Sequence, residues 1–233
     1  KPWRDGEART VGHHRFRTFE FIRNNAGFIR ATVHCGAPSR IYFVFDEILS
    51  NGEVNVTRYS CANVVTYDLT RAGTYYLESF EPYELKYLKV MVDGGACELL
   101  DLGFREYVNP DTERATFQSS DPGLNRIFEA ARETFKQNAV DVFTDCPGRE
   151  RAGWLCDSFF IGRVAADLCG NTDMERMFFQ NYLLPERFEA LPQGMLPMCY
   201  PADHPNSNYI PNWAMWFVVQ LEEYLHRSGD RAT

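Results

Sequence analysis

The chain has 233 residues, of which 45% are hydrophobic and 24% are charged, a composition that indicates a globular protein and excludes a disordered or fibrous one. Its 32 acidic residues outnumber its 24 basic residues and give a formal net charge of −8. This balance, without any Lys/Arg run, argues against nucleic acid or another polyanion as a partner. No apolar stretch approaches the roughly 20 residues that cross a bilayer, which argues against a membrane protein.

The first residues and the cysteines give little information about compartment or cofactor. No apolar segment of signal-peptide type is visible at the start, and a cleaved signal leaves no trace, so the compartment stays open. The cysteines show neither a CxxC pair nor a His/Cys cluster with zinc spacing, so we expect free thiols, no metal and no organic cofactor. The seven cysteines are Cys35, Cys61, Cys97, Cys146, Cys156, Cys169 and Cys199.

Short strands are predicted up to about residue 110, where alternating or continuous apolar runs are separated by turn signals. Two of these turn signals are Asn51-Gly52 and Asp93-Gly94-Gly95. The predicted strand segments are Ile29–Cys35, Arg40–Phe45, Val64–Tyr67, Thr74–Leu77, Tyr87–Val92 and Leu100–Phe104. This pattern predicts an antiparallel, jelly-roll-like β-sandwich over residues 1–112.

From residue 113 to residue 233 the apolar residues follow helical spacing, which predicts an all-α region. The first helix begins at Ser120-Asp121-Pro122, where a capping side chain precedes proline. Three more are predicted at about Trp154–Cys169, from Thr172-Asp173 to about Tyr182, and at about Trp213–His226.

A long irregular stretch, Pro185 to Pro211, separates the third and fourth predicted helices and holds six of the twelve prolines. Long loops inside a compact domain are usually functional or disordered. This one also carries apolar and aromatic residues, which indicates an ordered loop that lines or covers something.

The residues best suited to catalysis or ligand binding lie between Asp145 and Asp157, a segment with three carboxylates, two arginines and one tryptophan. Pro147-Gly148 excludes a regular helix at its front, so Asp145 belongs to a loop. If helical geometry begins near Glu150, then Glu150, Trp154 and Asp157 share one helix face. All three carboxylates would then face one cavity.

Two interpretations of this segment are open on the residue types alone. Arg149 and Arg151 can pair with neighbouring carboxylates, so the segment can be a structural ion-pair cluster. Carboxylates beside an aromatic ring also suit glycoside hydrolysis, in which one carboxylic acid protonates the leaving oxygen and another group activates water or attacks carbon.

The string Thr144–Asp157 closely resembles the signature of bacterial alpha-L-rhamnosidases, which are inverting glycoside hydrolases with a six-hairpin (α/α)₆ toroid. Weaker similarities to the same family extend over nearly the whole chain. They are found at Ser119–Asn125, Ile210–Trp216, Glu223-Tyr224, Ser228–Asp230 and, in the strand-rich part, Phe45–Glu47 with Asn51-Gly52. The resemblance implies a β-sandwich over residues 1–112 followed by the N-terminal part of a catalytic toroid over residues 113–233.

The resemblance also implies roles for individual residues. Glu150 would be the general acid, and the substrate-binding residues would be Asp145, Arg149, Trp154, Asp157, Trp213 and Trp216. Core packing is the competing role for the last two, which are three residues apart on an apolar helix face. Two positions depart from the family pattern: Cys156 stands where glycine is usual, and Asn212 where aspartate is usual.

Four predicted helices are fewer than the twelve of a complete toroid, so we expect a truncated toroid whose general base lies beyond Thr233. The uncovered helix faces would favour association, so a homo-oligomer is possible. The implied ligand is an L-rhamnose-containing oligosaccharide or glycoside. The alternatives are a non-catalytic carbohydrate-binding module, an inactive scaffold, and a related toroid glycosidase that acts on another sugar.

Overall fold

The computed structural model describes residues 10–202 and 208–233, and its packing separates two units, Lys1–Tyr107 and Val108–Thr233. The predicted division after residue 112 falls a few residues later. The first unit contains strands and the second contains helices.

Nine strands form in the part of the first unit that the structure describes, from residue 10 onward. In chain order they are Thr10–Val11 (β1), Arg15–Cys35 (β2), Ser39–Asp46 (β3), Leu49–Ser50 (β4), Glu53–Val54 (β5), Val64–Leu69 (β6), Gly73–Glu78 (β7), Tyr83–Gly94 (β8) and Cys97–Glu106 (β9). All six predicted strand segments lie within these strands. The first half of β2 and the short strands β1, β4 and β5 were not predicted, because none of them carries a clear alternating pattern.

All strand pairs are antiparallel. Seven strands form one hydrogen-bonded sheet in the order β1-β9-β2-β8-β3-β6, with β7 also paired to β2, while β4 and β5 form a separate hairpin. The 21-residue β2 explains this arrangement, because Arg15–Gly27 pairs with β8 and Gly27–Cys35 pairs with β9. The antiparallel strands are therefore confirmed, and the division into two sandwich layers stays a prediction.

The core of the first unit joins strands that are distant in sequence. Ile29, Ile41, Phe43, Leu88 and Val90 are all fully buried and belong to one apolar cluster. Alternate residues of β2, β3 and β8 supply this cluster, as a strand with one buried face requires.

The prediction that all cysteines are free thiols is wrong for one pair. Cys35 and Cys97 form a disulfide between directly opposed residues of β2 and β9, with a Cα–Cα distance of 4.3 Å. The two residues are 62 positions apart in sequence, so only the register of the sheet brings them together. Cys61, Cys146, Cys156, Cys169 and Cys199 are free.

Among the described residues of the second unit, four α-helices form: Pro122–Asn138 (α1), Leu155–Cys169 (α2), Asp173–Leu183 (α3) and Pro211–Ser228 (α4). All four predicted helices are confirmed to within about two residues, the accuracy expected of helix ends. Asp121 caps α1 as predicted, since its side chain accepts a hydrogen bond from the Gly123 N–H at 2.6 Å. Thr172 makes no such side-chain bond at α3, where Asn171 Oδ1 accepts from the Asp173 N–H instead.

A buried polar network connects α2, α3 and α4. Glu175 is fully buried, and its Oε1 accepts from Arg227 at 2.6 Å and from Gln220 at 3.3 Å. Gln220 also bonds to the Ser158 hydroxyl and carbonyl on α2. Gly162 provides the space, because a Cβ there would lie 2.7 Å from Glu175 Oε1.

Several apolar side chains of the helical unit are exposed in the structure. The most exposed are Ile127, Leu183, Leu184, Met215 and Val218. These are the surfaces that the predicted association would bury. None of the helices in the described residues has both the length and the hydropathy required to cross a membrane.

Candidate active site

Residues 145–154 form a closed loop that leads into α2. The Asp145 N–H donates to the Ala152 carbonyl, and the Ala152 N–H donates to Asp145 Oδ1, both at 3.2 Å. Between them the chain turns over residues 147–150, and Arg151 takes a left-handed conformation with φ of 50°. A non-glycine residue is uncommon there, and here it returns the chain to Asp145.

The prediction that helical geometry begins near Glu150 is wrong, because α2 begins at Leu155. The backbone of Ala152 is bonded to Asp145, and Trp154 forms a β-bridge with Cys199, so neither residue can lie inside a helix. Glu150, Trp154 and Asp157 therefore do not share a helix face, and loop geometry determines where Glu150 lies.

The long loop between α3 and α4 lies against this segment. The Gly153 carbonyl accepts hydrogen bonds from the Tyr200 N–H at 3.0 Å and from the Tyr182 hydroxyl at 2.9 Å. A Cβ at Gly153 would lie 2.3 Å from the Tyr200 carbonyl oxygen, so this close approach requires glycine. The part of the predicted loop that the structure describes is thus ordered next to the carboxylate segment, while residues 203–207 lie outside the described residues.

The negative charges of Asp145 and Glu150 act on two neighbouring groups. Burial is the main cause that raises the pKa of Asp157; a backbone hydrogen bond opposes this effect, and the charges of Asp145 and Glu150 add to it. Burial is also the main cause that raises the pKa of the Cys199 thiol to about 11, and the same two carboxylates add to the effect. Asp145, Glu150 and Asp157 are together called the acidic cluster below.

Glu150 forms an ion pair with Arg149. The Glu150 side chain is 25% exposed and the Arg149 side chain 48% exposed, so solvent reaches both. Arg149 thereby neutralises part of the acidic cluster and limits the directions that the Glu150 carboxylate can take.

The three predicted tryptophans have different surroundings. Trp154 lies at the start of α2, and its Nε1 is buried without a hydrogen-bond partner in the described residues. Trp213 packs against the apolar core of the helical unit. Trp216 lies 4.6 Å from Phe159 and 5.8 Å from Phe160, measured between ring centroids. These contacts give Trp213 and Trp216 the core-packing role, and their use as sugar platforms stays a prediction.

One group of possible metal ligands occurs among residues 10–202 and 208–233, in the strand unit. The ligand atoms of His13, His14 and Asp93 lie within 4.8 Å of one another, and all three residues are exposed. His13 Nδ1 already accepts a hydrogen bond from the Gly94 N–H. The arrangement resembles a surface ion-pair cluster.

Sequence reasoning did not identify Tyr182 and Cys199 as neighbours of the carboxylate segment. Neither belongs to the motif, and both reach it through tertiary contacts of α3 and the following loop. The one available signal was the apolar character of the Pro185–Pro211 stretch, which indicated an ordered loop without showing what it contacts.

Glycoside hydrolases as a class use a pair of carboxyl groups at one site, and this loop and helix start supply three carboxylates. Residues 112–233 match the family model described as the bacterial alpha-L-rhamnosidase six-hairpin glycosidase domain. The match covers more than half of the chain, and the chain belongs to this family. A comparison with curated protein sequences found no match.

Solved structures of rhamnosidases resemble the chain over most of its length. The GH78-family rhamnosidase of Bacillus sp. GL1 is 25% identical with a TM-score of 0.81, and the match covers 93% of this chain and 22% of that one. The Klebsiella oxytoca rhamnosidase, solved with rhamnose bound, is 20% identical with a TM-score of 0.77, covering 96% of this chain and 46% of that one. The chain thus spans less than half the length of either relative.

Proposed function

We propose that the chain is part of an alpha-L-rhamnosidase that removes terminal alpha-L-rhamnose from rhamnosides by an inverting mechanism, with Glu150 as the general acid. The observation that carries this proposal is the loop geometry, in which two hydrogen bonds between Asp145 and Ala152 close the turn that carries Glu150, directly before the helix that carries Asp157. These three carboxylates lie within the region that matches the family. Two matching rhamnosidase structures, from Klebsiella oxytoca and Streptomyces avermitilis, were solved with rhamnose bound, which supports a rhamnose-containing substrate.

In the proposed reaction, Glu150 donates its proton to the glycosidic oxygen as the bond to the anomeric carbon breaks. A second carboxylate removes a proton from the water that attacks the opposite face of the sugar. Inversion requires the acid and the base to be roughly 6.5–9.5 Å apart, which leaves room for that water. We propose that this base lies outside the 233 residues, and that Asp145 and Asp157 bind sugar hydroxyls.

The remaining motif residues support this arrangement in the proposal. Arg149, paired with Glu150, orients the acid, and Trp154 lies beside the sugar with its N–H available as a donor. The same ion pair favours a second candidate, an inactive scaffold in which Arg149 and Glu150 stabilise the loop. The two candidates differ in what the loss of the Glu150 carboxylate does.

The experiment is Glu150→Gln in the full-length gene product that contains this chain, with hydrolysis of an aryl alpha-L-rhamnoside as the readout. General acid catalysis contributes roughly 10²–10⁴-fold, so we expect turnover to fall by at least about a hundredfold while the melting temperature changes little. Glu189→Gln is the matched control, because Glu189 is an exposed loop glutamate paired with Arg187. Unchanged turnover in Glu150→Gln would refute the assignment, and a large loss of stability without loss of binding would favour the scaffold.

A further inference from the structure

We propose that Cys146 is a positioning residue of the candidate active site, whose thiol fixes the Asp145 carboxylate in the orientation that binds the sugar. This inference rests on the proposed function and adds to it a residue that does not itself touch the substrate.

Both oxygens of Asp145 are held inside the loop. The Cys146 thiol donates to Oδ2, with 3.0 Å between Sγ and the oxygen. The Ala152 N–H donates to Oδ1 at 3.2 Å. A carboxylate held at both oxygens cannot rotate about its terminal bond without losing one donor, so its remaining lone pairs keep a fixed direction.

Cys146 directly precedes the turn that carries the general acid. Residues 147–150 form this turn, and the backbone N–H groups of Glu150 and Arg149 lower the pKa of the Cys146 thiol. The donor to Asp145 and the general acid therefore belong to one loop, which the hydrogen bonds between Asp145 and Ala152 close.

The protonation state of Cys146 suits a donor. Burial raises the pKa of the Cys146 thiol, the hydrogen bond to Asp145 raises it further, and the two backbone N–H groups oppose these effects without cancelling them. A pKa above the ordinary thiol value keeps the S–H proton at neutral pH. A thiolate in this place would repel the Asp145 carboxylate and could not donate.

The first test measures the contact itself, without any sugar. At pH 8, peptide mapping follows the alkylation of Cys146 by iodoacetamide in the wild-type chain and in Asp145→Asn, with Cys61 as an internal reference. The substitution removes the negative charge that holds the proton on sulfur, so we expect alkylation of Cys146 to be about three- to tenfold faster. Asp141→Asn, at an exposed position of the preceding segment, is the control. Equal Cys146 rates in Asp145→Asn and the wild type would overturn the proposal.

The second test measures the consequence for the sugar, by titrating the full-length gene product that contains this chain with L-rhamnose. Cys146→Ala removes the donor and should weaken binding about tenfold, whereas Cys146→Ser keeps a hydroxyl donor and should restore most of the affinity. Cys61→Ala is the matched control. Equal affinity in the wild type and Cys146→Ala would overturn the positioning role. No binding by the wild type, together with faster alkylation in Asp145→Asn, would refute the proposed function and the role of Cys146 in it, while leaving the contact established.

Discussion

Each unit of the molecule buries one carboxylate against an arginine, and the two carboxylates are satisfied to different degrees. In the strand unit, Asp46 is 1% exposed. Its carboxylate accepts hydrogen bonds from the Glu47 and Asn55 N–H groups and from Nε and Nη2 of Arg58. In the helical unit, Glu175 is equally buried, but its Oε2 has no hydrogen-bond partner in the described residues.

The difference indicates what each buried charge does. Asp46 joins the end of β3 to the segment that follows β5, and every lone-pair direction has a donor, as buried carboxylates require. Glu175 joins α3 to α4 with only one oxygen, next to α2, whose first residues follow the candidate site. The buried carboxylate of the strand unit is fully hydrogen-bonded, whereas the buried carboxylate of the helical unit keeps one oxygen without a partner in the described residues, close to the helix that leads from the acidic cluster.

The largest effect on stability is expected for Asp46→Asn. The variant leaves Arg58 without its carboxylate in a mostly buried position, where breaking an ion pair costs roughly 3–5 kcal/mol. Hydrogen exchange of peptides from β3 and β8 measures the free energy of unfolding of this unit.

Asp68→Asn is the matched control for that substitution, because the Arg40–Asp68 pair is exposed and solvent screens such pairs, so the expected loss is much smaller. Similar losses in the two variants would contradict the role assigned to Asp46.

A smaller effect is expected for Glu175→Gln, about 1–3 kcal/mol, because Arg227 keeps Glu223 as a partner at 3.1 Å. The variant should also change the pH dependence of stability. Burial raises the pKa of Glu175 despite the opposing effect of Arg227. Between the ordinary glutamate pKa and the raised pKa of the folded state, the folded state binds more protons than the unfolded state. The free energy of unfolding of the wild type therefore falls as pH rises through this range.

Glu175→Gln cannot titrate, so the curve of stability against pH should be flatter for this variant. Urea denaturation from pH 4 to pH 8 measures it, with the exposed Glu222→Gln as control. A loss as large as that of Asp46→Asn would remove the contrast between the two units.

The elements were predictable from sequence where one local signal determined them. The continuous apolar run of Arg40–Phe45 and the capping sequence at Asp121 were enough to predict β3 and the start of α1. The Cys35–Cys97 disulfide was not predictable, because the register of strands 62 positions apart creates it. The burial of Glu175 depends in the same way on three helices that meet in space.

The geometry of the candidate site was not predictable from the sequence. The motif named Asp145, Glu150 and Asp157, and their role as site residues stays a prediction. The expected shared helix face was wrong, because hydrogen bonds from Asp145 to Ala152 and the bridge from Trp154 to Cys199 compete with helix formation. A periodicity argument cannot anticipate such competing partners.

The most direct test of the central claim is a crystal structure of the full-length gene product with L-rhamnose bound. We predict that Asp145, Glu150 and Asp157 each place a carboxylate oxygen within about 2.5–3.2 Å of a sugar oxygen. Rhamnose bound elsewhere, or bound at this segment without contact to these three carboxylates, would contradict the account.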